Sequence, residues 1–152
     1  MIKRAVLMIL AILVFSGSAM AERGSFGLGV IVGEPTGITA KYFLDKHNAI
    51  DGGFGWSLNS DHDFHLYADY LYHVYFLTDV GEGELPLYFG VGGRFVYRDD
   101  KDNQAGIRVP VGLNYILASA PIGFFAEIVP ILDLAPDVDL DLEGGVGFRY
   151  YF

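Results

Sequence analysis

Three polar side chains, His65, Asp69 and His73, are of types that serve in metal sites and in acid–base catalysis. They recur at every fourth position of a segment, residues 63–77, in which apolar and polar residues alternate. Alternation with period two is typical of a strand, on which residues four apart are separated by about 13 Å at about 3.3 Å per residue. The three side chains therefore cannot touch one another, and a site would need partners from adjacent strands.

A nucleophilic site would need a serine beside a histidine and a group that orients the histidine. The serines lie in predicted turns or at strand ends, outside any recognisable motif: Ser25, Ser57, Ser60 and Ser119. His62, between Asp61 and Asp63, is the one faint candidate for an acid–histidine pair, and a solvated loop is the simpler interpretation. The sequence predicts no catalytic residue, no cofactor and no enzyme.

Acidic residues near predicted outer loops are the remaining candidates for chemistry, since hard cations prefer oxygen ligands. They are Asp99, Asp100, Asp102, Asp133, Asp137 and Asp139. Their spacing does not match a calcium loop. We interpret them as solvating side chains and predict no metal site, although carboxylates there could share divalent cations with lipopolysaccharide phosphates.

Alternation continues along almost the whole chain, and turn signals interrupt it at short spacing. The pattern predicts eight strands, at residues 25–33, 38–44, 49–57, 63–77, 86–98, 105–117, 122–133 and 138–152. The strands are 7 to 15 residues long, a range that includes the length of about 9–11 residues that a tilted transmembrane strand needs. An even number of strands returns both termini to one side. We predict an all-β fold, an antiparallel up-and-down transmembrane barrel of eight strands.

The two faces of these strands differ in composition, which decides their orientation. One face is apolar; the other combines many glycines with single charges of both signs, and a solvated face would instead be rich in Lys, Glu and Thr. Glycines and opposed charges suit the narrow interior of an eight-stranded barrel. The polar face would place these residues inside, as a packed network of ion pairs: Lys41, Asp51, His65, Asp69, His73, Arg94, Arg98, Arg108, Glu127, Asp141, Glu143 and Arg149.

The apolar face would then contact lipid, with aromatic residues near both strand ends as interfacial girdles. Trp56, Phe64 and Tyr97 would lie towards the outer end; the periplasmic end would carry Tyr42, Tyr72, Tyr115, Tyr150 and Phe152. A soluble barrel with its apolar face inside and a ligand pocket there remains an alternative. Pro110 and Pro130 fall inside predicted strands, where each deletes a ladder hydrogen bond, so we predict bulges at both.

The first 21 residues have the pattern of a cleaved signal peptide: Lys3 and Arg4, an apolar run at 5–15, then small residues ending at Ala21. We predict cleavage before Glu22 and one domain over residues 22–152. The formal net charge is −9, and cleavage would make it more negative because it removes two basic residues and no acidic one. This acidic balance argues against nucleic-acid binding. There is no cysteine, so an exported fold must be stabilised without disulfides.

The C-terminal residues, 147–152, resemble the assembly signal of Gram-negative outer-membrane barrels. Gly147, Phe148, Tyr150 and Phe152 carry that resemblance, although Gly145 stands where the signal usually has a polar residue. The whole segment after residue 21 is similar to the small OmpA- and OmpX-type barrels, and residues 33–42 resemble a family of short outer-membrane barrels of unassigned function. The resemblance implies location in the cell outer membrane, contact with its lipid and lipopolysaccharide, and recognition by the barrel-assembly machinery. We expect a monomer.

Three functions remain open from the sequence. The favoured one is a structural or interaction role in the cell envelope, with a lumen plugged by ion pairs. A narrow transporter or a conduit for a small or hydrophobic molecule would need an open lumen or a lateral gap between strands. A lipid-modifying enzyme would need a nucleophile and a base that converge near one rim.

Overall fold

The computed structural model describes residues 25–57, 63–75, 83–99 and 102–152, and these form an antiparallel sheet closed into a ring. Its segments are β1 (Phe26–Glu34), β2 (Thr36–Phe43), β3 (Asn48–Trp56), β4 (Phe64–Val74), β5 (Gly83–Glu84), β6 (Leu87–Tyr97), β7 (Gln104–Arg108), β8 (Val111–Leu117), β9 (Ile122–Ala135) and β10 (Asp139–Tyr151). The described residues contain no helix long and apolar enough to cross a membrane.

Eight strands make up the wall, because two of them are interrupted. β7 and β8 both pair with β6 on one side and β9 on the other, so they are two halves of one strand. β5 pairs with β8 on the side that β6 occupies, so β5 and β6 follow one another along the same strand. β1 pairs with both β2 and β10, which closes the ring. The predicted eight-stranded antiparallel barrel is confirmed.

Both ends of the described chain lie at one end of the barrel, here called the terminal end; the opposite end is called the distal end. The Phe152 amide donates to the Phe26 carbonyl (2.8 Å). The β2–β3 turn is also at the terminal end, where the Asp45 carboxylate accepts hydrogen bonds from Asn48 and from the His47 amide. These hydrogen bonds, those from Asn48 foremost, lower the pKa of Asp45.

The outer surface of the ring is apolar and the interior holds the charges. Large apolar side chains are exposed on every wall strand, for example Leu66 and Ile128, whereas the odd-numbered residues of β4 are buried. The girdle residues Trp56 and Tyr97 lie on the outer face near the distal end, and Tyr42, Tyr72 and Tyr150 lie on it near the terminal end. The structure therefore excludes the alternative with an apolar interior.

The predicted bulges at Pro110 and Pro130 are wrong. Pro130 pairs with Leu142 in the continuous register of β9 and β10, and the register of β7 and β8 against β9 is the same on both sides of Pro110. Neither proline needs a bulge, because every residue of a strand directs its N–H and its C=O to one neighbouring strand only. The register shift in this part of the wall lies instead between Ala105 and Gly106.

Pro130→Val is expected to raise the free energy of unfolding by about 0.5–1.5 kcal/mol. The Pro130 carbonyl accepts a hydrogen bond from the Val109 amide (3.0 Å), so the missing N–H of residue 130 also faces Val109. The valine N–H would restore the second hydrogen bond of this pair. The valine side chain would lie on the outer face, as the proline ring does. Chemical denaturation of the refolded barrel measures the change, and slower hydrogen exchange of the new amide would show the bond directly. An unchanged midpoint with a fast-exchanging amide would contradict it.

Candidate functional site

The interior of the ring buries ten of the twelve residues that the sequence assigns to the lumen charge network, all except Arg98 and Asp141. The ten buried residues are Lys41, Asp51, His65, Asp69, His73, Arg94, Arg108, Glu127, Glu143 and Arg149. They project from β2, β3, β4, β6, β7, β9 and β10. Their positions divide them into three groups, which we call the distal, middle and terminal groups and describe in that order.

The distal group centres on Arg94. Its Nε and Nη2 donate to the two oxygens of Asp133 (3.1 and 2.6 Å), an approximately planar two-bond contact that suits a guanidinium. Nη1 donates to Glu143, and Nη2 also lies 3.2 Å from Asp141. One arginine therefore holds three carboxylates, two of which are almost wholly buried.

His65 joins the distal group to the β1–β2 hairpin. Its Nδ1 lies 3.4 Å from Glu143 Oε1, and its Nε2 lies 3.6 Å from Glu34 Oε1. Alternation along β1 would direct Glu34 outwards, but Gly33 has a φ of +150°, a conformation that L side chains rarely adopt. The change of direction at Gly33 brings the Glu34 carboxylate to the interior.

The middle group contains Arg108 and two carboxylates. Arg108 Nε lies 2.9 Å from Asp69 Oδ1, an ion pair whose angles fall outside hydrogen-bond geometry. The guanidinium also stacks on the Tyr67 ring at 4.1 Å and faces Glu127 at 3.9 Å. Glu127 accepts a hydrogen bond from the Tyr88 hydroxyl (2.9 Å), which crosses from β6.

The terminal group contains Arg149 and Lys41. Arg149 donates to Thr39 (2.7 Å), lies 3.3 Å from Asp51 and stacks on the Phe125 ring at 4.1 Å. Lys41 donates to Nε2 of His73 (2.6 Å), and its ammonium lies over the rings of Phe43 and Tyr88. His73 Nδ1 donates to the His47 carbonyl (3.2 Å), which assigns the lone pair to Nε2 and explains why a lysine can donate to it.

The three residues that first suggested chemistry, His65, Asp69 and His73, have separate partners. His65 faces glutamates, Asp69 faces Arg108 and His73 faces Lys41, so the structure does not bring them together. Within the described ranges, no group of three or more His, Asp or Glu side chains is arranged to hold a metal ion. Ser60, Asp61, His62 and Asp100 lie outside the described residues.

The interpretation of the sequence assigned two residues to the wrong surroundings. Asp133, assigned to an outer acidic cluster, is 1% exposed and contacts Arg94, because β9 continues to Ala135. Arg98, assigned to the interior, follows the end of β6, and its Nε donates to the Asp102 carbonyl in the loop (2.9 Å). Asp141 is half-exposed at the distal rim.

The interior also contains polar residues that the predicted charge network did not include: Thr39, Tyr67, Tyr88, Asn114 and Tyr151. Alternation within each strand could have found them, since Tyr88 has the same parity as Arg94 on β6. Some of their atoms find no hydrogen-bond partner among the described residues, namely the Asn114 amide group and the Tyr151 hydroxyl. Buried polar atoms of this kind commonly bind ordered water.

Tyr88→Phe is expected to lower the free energy of unfolding by about 1–3 kcal/mol, because Glu127 would lose its hydroxyl donor inside the barrel. Denaturation in the same lipid or detergent measures the loss. Tyr70→Phe is the matched control, since the Tyr70 hydroxyl donates to Asn48 (2.7 Å) on the outer face beside the β2–β3 turn, where water at the membrane interface can replace the bond. Equal effects of the two changes would show that burial of the bond does not matter.

A recess of about 280 Å³ opens at the terminal end. It is lined by Ser25, Phe43, Asp45, Lys46, Tyr75, Glu84, Ile116 and Tyr151. The Lys46 ammonium lies over the Tyr75 ring at 5.1 Å. The recess reaches inwards to Phe43 and Tyr151, below the terminal group.

Comparison with known proteins supports the fold. No protein-family model and no curated protein matches the chain. Among solved structures, the chain is similar to the N-terminal β-barrel domain of Pseudomonas aeruginosa OprF, with a TM-score of 0.58 and 16% identity over 84% of this chain and 95% of that domain. At this identity the likeness shows the fold, and the predicted resemblance to OmpA-type barrels is confirmed at that level.

Proposed function

We propose that this eight-stranded barrel resides in the outer membrane as a structural or interaction protein of the cell envelope, with a lumen closed by ion pairs. The observation that carries the proposal is the inverted distribution of its residues: the outer wall is apolar, and charges occupy the interior. In a barrel surrounded by lipid, the outer side chains contact hydrocarbon and must be apolar. Pairing between strands around the ring satisfies the backbone groups at the depth of the membrane.

Closure of the lumen is supported by the side chains that meet across it. Tyr88 on β6 reaches Glu127 on β9, Arg94 on β6 reaches Glu143 on β10, and Lys41 on β2 lies over the Tyr88 ring. An eight-stranded barrel encloses only enough space for side chains. We therefore propose that the charge network is structural, with no catalytic activity and no general diffusion pore.

The proposal includes the expected route to the membrane. Residues 1–21 would be removed as a signal peptide, and Gly147, Phe148, Tyr150 and Phe152 would serve as the assembly signal. Phe148 and Tyr150 project from the outer face of β10, where the assembly machinery or lipid can contact them. Lipid and lipopolysaccharide would cover the wall of a single copy.

Fractionation of cells that express the protein tests the location, followed by gel migration of the membrane fraction with and without boiling. Recovery with the outer membrane and a heat-dependent mobility shift are expected for a closed, lipid-facing barrel. Recovery as a soluble periplasmic protein would overturn the proposal. The Phe148→Ser and Phe152→Ser variants should lower membrane recovery relative to Phe124→Ser, an outward phenylalanine outside the C-terminal segment.

Planar bilayer recordings test the closed lumen. We expect no stable conductance from the refolded protein. A steady conductance that Arg94→Ala or Arg149→Ala enlarges would instead favour the narrow transporter.

A further inference from the structure

Among the residues that the structure describes, the distal part of β10, residues Asp139–Glu143, has a neighbouring strand on one side only. β9 pairs with it throughout, but β1 ends where Glu34 meets Gly144. At about 3.3 Å per residue the uncovered segment is roughly 16 Å long. We call it the free edge. It extends beyond the β1–β2 hairpin at the distal end, because β1 and β2 end before β10 does.

Backbone groups of Leu140 and Leu142 form this edge. The Pro130 carbonyl faces Val109 on β7/β8, so the backbone of Pro130 turns away from β10 and that of its partner Leu142 turns away from β9. Leu140, two residues earlier, has the same orientation. Their amides donate instead to the carboxylates of Asp139 and Asp141 (2.9 and 2.8 Å).

The side chains along the edge alternate sharply. Leu140 and Leu142 are 79% and 66% exposed on the outer side, and Val138 is 73% exposed. Asp139 and Asp141 project towards the barrel mouth and are also accessible. A strand added here would place alternate residues against leucines outside and against aspartates inside.

Charge decides between the strands that could pair with this edge. Two copies joined through it would bring their aspartate rows together, and like charges directly opposite one another are destabilising. Aspartate caps on the edge amides likewise disfavour neutral strands, because a neutral strand would displace the Asp139 carboxylate and offer it no cation, while Asp141 would keep Arg94 at 3.2 Å. A strand that alternates lysine or arginine with apolar residues would compensate both carboxylates and cover both leucines.

We propose that the free edge of β10 binds a cationic, amphipathic segment of a partner in an extended conformation, which completes the wall above the β1–β2 hairpin. The segment adds as an antiparallel or parallel strand to the amides and carbonyls of Leu140 and Leu142. Its cationic side chains form ion pairs with the Asp139 and Asp141 carboxylates. The inference rests on the register of the ring and is independent of the membrane location.

The test uses the refolded full-length barrel and a labelled, end-capped octapeptide that alternates lysine with valine, measured by fluorescence anisotropy. We expect saturable binding, at least tenfold weaker for the D139N/D141N double variant. The D99N/D102N variant, which makes the same charge change at the neighbouring distal loop, should bind as the unmodified barrel does. Hydrogen exchange of the Leu140 and Leu142 amides should slow when the peptide is bound.

Leu142→Pro tests backbone pairing directly, because it removes an edge amide and no ladder hydrogen bond to β9. We expect at least tenfold weaker binding with the gel mobility shift retained; if this variant fails to fold, the two aspartate variants still decide. Equal binding of the peptide by the D139N/D141N and D99N/D102N barrels would reduce the effect to general charge attraction and overturn the proposal. Equally tight binding of a peptide with proline at alternate positions, which cannot pair as a strand, would overturn it for the same reason. Cross-linked dimers through residue 140 would overturn it in favour of a second copy.

Discussion

Arg94→Met is expected to lower the free energy of unfolding by about 3–5 kcal/mol, which is a large fraction of the stability of a small domain. Arg94 binds Asp133, Glu143 and Asp141. Its removal takes the cation away from the buried Asp133 and leaves the buried Glu143 with the more distant Arg108, whose Nη1 lies 3.8 Å away. Methionine keeps most of the volume, so the loss reports charge rather than packing. Trp56 is the only tryptophan and lies on the outer face, so its fluorescence follows unfolding in urea.

Two companion variants separate the buried network from ordinary surface charge. Arg98→Met should change the free energy of unfolding by less than about 1 kcal/mol, since within the described part of the chain the Arg98 guanidinium donates to a loop carbonyl and to no carboxylate. Neutralising the stranded acids in Arg94→Met, with Asp133→Asn and Glu143→Gln, should restore at least half of the loss. If Arg94→Met and Arg98→Met cost the same, the interior is hydrated well enough to screen its charges and the closed lumen is wrong.

Alternation within strands was enough to predict the interior, because one parity on each strand faces inwards wherever the backbone stays regular. It placed Lys41, Glu127 and Arg149 correctly without any knowledge of their partners. The partners themselves could not be predicted, since they depend on the register between strands. Arg94 on β6 meets Glu143 on β10 although other strands separate them in the wall.

The errors arose where the backbone is irregular or where a strand ends. Glu34 lies just after the predicted strand 25–33, and the positive φ of Gly33 directs its carboxylate to the interior, which alternation with period two cannot predict. Asp133 was predicted as the last residue of its strand and grouped with the acidic residues near the outer loops, yet β9 continues past it and buries its carboxylate. Pro130 was expected to force a bulge, but its missing N–H affects only the side of the ladder that faces Val109.

Two adjacent glycines of β6 give the sharpest test of how tightly the interior is filled. Gly92 pairs with Asp69 on one side and with Arg108 on the other, so the ion pair between these two residues passes directly over it. A Cβ at Gly92 would meet the Asp69 carboxylate, the Ala68 carbonyl and, at 2.6 Å, the Asp69 Cα. Gly93 points to the outer face, where the nearest atom to a Cβ would be the Gly106 carbonyl oxygen at 3.6 Å.

Gly92→Ala is therefore expected to lower the free energy of unfolding by about 1–3 kcal/mol or more, because backbone on a neighbouring strand must move to admit one methyl group. Gly93→Ala should leave it unchanged or raise it by up to about 1 kcal/mol, since alanine restricts the unfolded chain and meets open space. The two variants share the same strand, the same composition and the same chemistry, so urea unfolding side by side isolates the interior. A neutral Gly92→Ala would mean that the lumen has room to spare, and a narrow conduit would then become the better interpretation of the barrel.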